Sequence, residues 1–94
     1  MNSGFGTIEH INFLRRCRTN GLTMGQVQVL CVLMRGEATK SDIEEMTGMS
    51  DAGCRKSIKA CYDAGDITHL RMIEVKRGCI VPVWGLSDHV RGIL

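Results

Sequence analysis

Seven of the twelve lysine and arginine residues fall between positions 40 and 77: Lys40, Arg55, Lys56, Lys59, Arg71, Lys76 and Arg77. Ammonium and guanidinium groups neutralise phosphate, and arginine also reaches base edges bidentately. Net charge is only +2, so a polyanion would be met by a local patch and not by a bulk field. Other chemistries find little footing. Cys17, Cys31, Cys54, Cys61 and Cys79 include no C-x-x-C pair, and His10, His69 and His89 lie far apart. Zinc takes ligands at short spacing, and an odd number of cysteines does not close a disulfide framework. The cysteines are therefore expected to be small buried hydrophobes, with no metal and no cofactor. No nucleophile elbow or phosphate loop is present. A pairing of His69 with Asp66 in a turn would not amount to a mechanism, so a non-enzyme is expected.

The elements that must carry the basic residues follow from periodicity and punctuation. Thr7 begins a helix to about Thr19, striped by Ile8, Ile11, Leu14 and Cys17. Arg15, Arg16 and Arg18 complement its C-terminal dipole. Asn20-Gly21 stops it. Thr23 and Gln26 form a capping box for a second helix, which is expected to be the most buried. It carries Val27, Leu30, Cys31 and Met34 at helical spacing, with Val29, Val32 and Leu33 beside them, and Gly36 ends it. Glu37-Ala38 has the form of a short edge strand. Thr39, with Asp42 three residues on, caps a short third helix that turns Ile43 and Met46 inward. Gly48 breaks it, and Ser50 caps a fourth helix from about Asp51 to Tyr62, with Cys54, Ile58, Cys61 and Tyr62 inward. Ala64-Gly65 closes that helix.

After Gly65 the period changes from helical to extended. Ile67–Val75 and Cys79–Leu86 read as two strands joined by Lys76-Arg77-Gly78, a hairpin with a basic tip. Pro82 places the second strand on an edge. Ser87-Asp88 starts a last short helix toward Leu94. Trp84 is expected to plug the core beneath the hairpin, and Met24, Met34, Met46, Met49 and Met72 to fill core gaps. Two short capped helices around Thr47-Gly48-Met49-Ser50, followed by a hairpin, make a winged helix-turn-helix, an α+β fold.

Residues 22 to 94 resemble the winged-helix domain of transcription regulators of the multiple-antibiotic-resistance (MarR) type. The likeness lies in Leu22-Thr23 with Gln26 and Val29-Leu30, Glu37-Ala38-Thr39 with Asp42-Ile43, Gly48-Met49-Ser50, Ala64-Gly65-Asp66-Ile67, Lys76-Arg77-Gly78 and Leu86-Ser87-Asp88. Order and spacing carry it more than any single motif. The resemblance implies duplex DNA as partner, with the fourth helix in the major groove and the wing on the backbone or minor groove. On that geometry Ser50, Ala52, Arg55, Lys56 and Lys59 face the major groove, Lys40 and Asp51 flank them, and Lys76 and Arg77 meet phosphate. Glu44, Thr47 and Ser57 replace the small or apolar residues usual at those places. Asp51 and Gly53 stand where base-contacting residues often lie; Asp51 repels phosphate, although an aspartate can accept from cytosine.

The 94 residues suit one domain, residues 1–94 with a frayed 1–6, and hydrophobic residues at 44% suit a globular core. The sequence has neither a signal-peptide pattern nor an apolar run of ~18 residues, so a cytoplasmic protein without a membrane partner is expected. The reading is a small transcriptional regulator or a phage or mobile-element accessory protein. The alternative is a winged helix that binds another protein. A chain ending at Leu94 lacks the long terminal helices that dimerise such regulators, which leaves monomer or weak dimer. Since no thiol pair has metal or disulfide spacing, reductant and chelator are expected to leave the melting temperature unchanged. A calorimetric loss of several degrees on adding chelator would reveal a missed metal site.

Overall fold

The computed structural model describes residues 21–91. The helix expected at Thr7–Thr19, with its arginine cluster and Cys17, lies outside the described residues, as do residues 92–94. Within them the order is α1 (Met24–Arg35), β1 (Ala38–Thr39), α2 (Lys40–Thr47), α3 (Asp51–Asp63), β2 (Ile67–Lys76), β3 (Cys79–Leu86) and α4 (Asp88–Arg91).

The helix starts are made by side chains that satisfy amides without an intrahelical partner. Thr23 Oγ1 accepts from Gln26 N at 3.2 Å while Gln26 Oε1 accepts from Thr23 N at 3.0 Å. Thr39 and Asp42 repeat this reciprocal arrangement at α2, at 3.2 and 3.0 Å. Loss of such a cap costs about 1 kcal/mol. α2 ends at Gly48, whose φ of 77° is left-handed. At the end of α3, Gly65 N donates to Tyr62 O and Asp66 N to Cys61 O, both at 3.0 Å, so the chain reverses into β2.

The core is one cluster drawn from every layer. Val29, Leu30, Val32 and Leu33 of α1 meet Ile43 of α2, Cys54, Ile58 and Cys61 of α3, and Ala38, Ile67, Leu86 and Val90. The buried face of α1 is thus the 29/30/32/33 face. Val27, Cys31 and Met34 lie only half-buried at its margin. The two fully buried thiols point at backbone carbonyls of neighbouring helices, Cys54 Sγ toward Lys40 O at 3.8 Å and Cys61 Sγ toward Gln26 O at 3.7 Å. Cys31 and Cys79 are only half-buried, so the expectation of buried cysteines holds for Cys54 and Cys61 and not for these two.

The sheet order is β1-β3-β2, antiparallel throughout. This corrects the edge placement of the second hairpin strand: β3 is central. Pro82 is tolerated there because β1 pairs only with Val83 and Trp84, so Pro82 lies just outside the stretch flanked on both sides. The short strand is shifted one residue from the expected Glu37-Ala38. In β2 the register slips by one residue at Leu70 and again at Val75. Leu70 lies over Gly85, where a Cβ would come within 2.7 Å of Leu70 Cδ1. These bulges also keep the strand from a strict inside–outside alternation.

Several side chains expected inside lie outside. Met24, Met46 and Met72 are 71%, 52% and 50% exposed, and Tyr62 is 51% exposed. The core is filled by β-branched residues, leucines and thiols, so only Met34 and Met49 pack against it. Tyr62 instead meets Trp84 edge to face, at 5.6 Å between centroids. Trp84 packs against the core while remaining half-buried.

Residue 57 is a small serine where α1 and α3 approach closely at Gly25. A Cβ on Gly25 would overlap Ser57 Oγ and come within 3.3 Å of Ser57 Cβ. Gly25→Ala is expected to destabilise the domain by about 1–3 kcal/mol in denaturant unfolding. Adding Ser57→Ala should recover most of that loss; no recovery would show that the close approach is not the cause.

Candidate nucleic-acid interface

The helix-turn-helix is α2, the three residues Gly48-Met49-Ser50, and α3. Thr47 Oγ1 donates to Ile43 O at 2.7 Å and accepts from Met49 N at 3.2 Å, which locks the turn. Met49 packs against the core beneath it. Ser50 Oγ accepts from Gly53 N at 3.1 Å and so serves as the cap of α3. With Cys54, Ile58 and Cys61 inward, α3 turns Asp51, Ala52, Arg55, Lys56 and Lys59 to solvent.

Lys76 pairs with Cys79 across the hairpin, leaving Arg77-Gly78 as the turn, and Gly78 takes a φ of 78°. Glu74 Oε2 accepts from Gly78 N at 2.9 Å and holds the turn while Lys76 and Arg77 remain exposed. A cleft of about 300 Å³ lies between the wing and α2, lined by Lys40 and Glu44 on one side and Val75 and Val81 on the other.

The Asp51–Lys40 contact between helices was not visible in the sequence. Asp51 engages Lys40 through Oδ1 and Arg55 through Oδ2. Lys40 Nζ also donates to Glu44 Oε2 at 2.6 Å. A chain of alternating charge, Glu44–Lys40–Asp51–Arg55, therefore joins α2 to α3. The Lys40 ammonium holds the Asp51 carboxyl below the ordinary aspartate range, and the Arg55 charge adds to this. The same contacts, Asp51 first and then Glu44, raise Lys40. Lys59 donates to Asp63 at 2.9 Å and is raised by it. Arg71 is held by Glu37, beside β1 and away from the wing tip.

Of the residues expected at the interface, Lys40, Asp51 and Arg55 are thus brought into mutual contact, and Ser50 is occupied as a cap. Ala52 and Lys56 lie on the open face of α3, Lys59 pairs with Asp63, and Lys76 and Arg77 form the separate wing tip. No ion pair among the described residues involves Lys56, Lys76 or Arg77. Glu44, Asp63 and Glu37 are the partners that the sequence reading missed. Asp63 and Glu44 stand four residues after a lysine on a helix, a legible signal; Glu37 gives none. His69 does not pair with Asp66. His89 does, at 3.5 Å, while His69 Nε2 lies 3.0 Å from Met72 Sδ and its ring packs edge-on to Trp84.

These residues form a winged helix-turn-helix. No protein-family model and no curated protein matches the sequence. Among solved structures the chain is similar to the zinc-responsive MarR family member ZitR of Lactococcus lactis, at 25% identity and a TM-score of 0.64, over 77% of this chain and 48% of that one. It is similar in fold to the adhesin competence repressor AdcR of Streptococcus pyogenes, at 22% identity and a TM-score of 0.65, over 88% and 60% of the two chains. The fold is also that of the transcriptional repressor BigR of Xylella fastidiosa, at 15% identity and a TM-score of 0.64, over 90% and 76%. The fold is therefore the MarR-like winged helix, and the chain spans about half the length of ZitR.

Because Asp51 is depressed, its ion pairing is present above the ordinary carboxylate range and is lost as pH falls through its folded-state value. Carbon-detected NMR titration should find its midpoint below that range. Lys40→Met should move the midpoint back toward it; an unchanged midpoint would show that Lys40 is not the cause.

Proposed function

We propose that the domain binds duplex DNA as a small transcriptional regulator, with α3 in the major groove and the wing on the backbone or minor groove. One observation carries this reading. The exposed basic side chains Arg55, Lys56 and Lys59 lie on α3, and Lys76 and Arg77 lie at the wing tip, the two elements that winged helices present to DNA. The similar folds of a transcriptional repressor, BigR, and a competence repressor, AdcR, support it. The zinc response of ZitR is not part of the proposal. No group of three or more His, Cys, Asp or Glu side chains among the described residues could hold a metal ion. No helix among them is long and apolar enough to cross a membrane.

A second reading, a protein-binding winged helix, is favoured by the outer edge of β2, which no strand among the described residues pairs, and by Met72, Val75 and Ile80, which are 50–61% exposed on the hairpin. Binding to duplexes across a salt series separates the two. Each phosphate contact contributes about 0.9 to the slope of log affinity against log salt. Replacing Lys76 and Arg77 together by alanine should weaken binding to all sequences and flatten the slope by up to about two units. Arg55→Ala should cost about 1–3 kcal/mol on a preferred site and less on random DNA. Absence of any duplex affinity at low salt would hand the case to the protein-binding reading.

A further inference from the structure

We propose that Asp51 acts as an internal stand-in for a DNA phosphate, suppressing non-specific binding and thereby setting the specificity of the interface. The inference rests on the DNA-binding reading above. Asp51 is the first residue of a 13-residue helix, where the exposed amides and the helix dipole favour an anion. Both of its carboxylate oxygens are used, one by Lys40 from α2 and one by Arg55 from α3. Two cations from two elements thus converge on one anion, at the end of α3 that winged helices direct at the groove. This is how a helix-turn-helix would grip a phosphate, and the protein supplies the anion itself.

The consequence follows from counterion release. A cation gains affinity for DNA by exchanging small counterions for phosphate. Lys40 and Arg55 already hold a tethered carboxylate in place of counterions, so a generic phosphate must displace Asp51 and then sit beside its negative charge. The side chains of Lys40, Asp51 and Arg55 are 31%, 62% and 68% exposed, and pairs at such exposure contribute little to stability. The network therefore opens when a site offers compensating contacts elsewhere on α3 and the wing. Random sequence offers the same phosphates but not the base contacts of a preferred site, so the ratio of specific to non-specific affinity rises.

The test measures anisotropy of a labelled random-sequence duplex over a salt series for the wild type, Asp51→Asn and Glu45→Gln. The last makes the same change in net charge on α2 without releasing a cation from the network. Asp51→Asn should bind about tenfold more tightly at low salt, with a slope steeper by about one to two units, whereas Glu45→Gln should stay close to wild type. A cycle adds a second readout: Lys40→Met should weaken binding little in the wild type and clearly in the Asp51→Asn background. Equal effects of Asp51→Asn and Glu45→Gln would reduce the result to net charge and overturn the proposal. So would unchanged or weaker binding by Asp51→Asn, or an additive cycle. Failure of the DNA reading itself looks different, since no variant would then hold DNA at any salt.

Discussion

The face that α3 shows to solvent is fixed by the stripe it buries. Cys54, Ile58 and Cys61 are 0–5% exposed, and a rotation of one residue would drive Arg55 or Lys59 into the cluster formed by Val29, Leu30 and Ile43. Burying an unpaired charge there would cost several kcal/mol, so the orientation of the basic face follows from an apolar constraint. The small residues Gly25 and Ser57 let α1 sit close enough to impose it. The thiols contribute by their size, since a leucine at position 54 or 61 would overfill the space. Burial also pushes the Cys54 thiol up, away from the reactive thiolate.

Around that contact, the parts of the fold governed by local rules were legible in the sequence. Thr23 with Gln26, Thr39 with Asp42, and Ser50 form caps whose partners lie three residues away, and Gly48, Gly65 and Gly78 take the left-handed conformations their positions demanded. Features settled by distant partners were not legible. The centrality of β3 depends on a two-residue strand some 45 positions earlier. Met46 stands three residues after the buried Ile43 and still faces outward, because α2 is short and reaches the core along a narrow line. The site divides the same way. The identity and exposure of Arg55, Lys56, Lys59, Lys76 and Arg77 could be read from pattern, whereas the bridge from Asp51 to Lys40 spans 11 residues and exists only once the turn has folded.

That bridge changes the meaning of the charge inventory. A count of lysines and arginines gives a basic surface, but the network and the Lys59–Asp63 and Arg71–Glu37 pairs cancel much of it locally. Among the described residues of α3 and the wing, the cations without an ion pair lie at two separated points, Lys56 on α3 and the Lys76-Arg77 wing tip. Such a surface has a weak far field and strong near-field cations, which favours recognition at contact over long-range electrostatic steering.

The two slips in β2 bear on a different hazard. Among the described residues β2 is a ten-residue strand at the margin of the sheet, and its outer row of amides and carbonyls is one that another extended chain could match, with Met72 and Val75 adding buried apolar area. Each extra residue, at Leu70 and at Val75, bends the strand and throws its outer amides out of step with a regular partner. The longest uninterrupted ladder that an intruding strand could copy is thereby cut to about four residues, from Arg71 to Glu74. The irregularity that shapes the wing thus also shortens the template that edge-to-edge association would need.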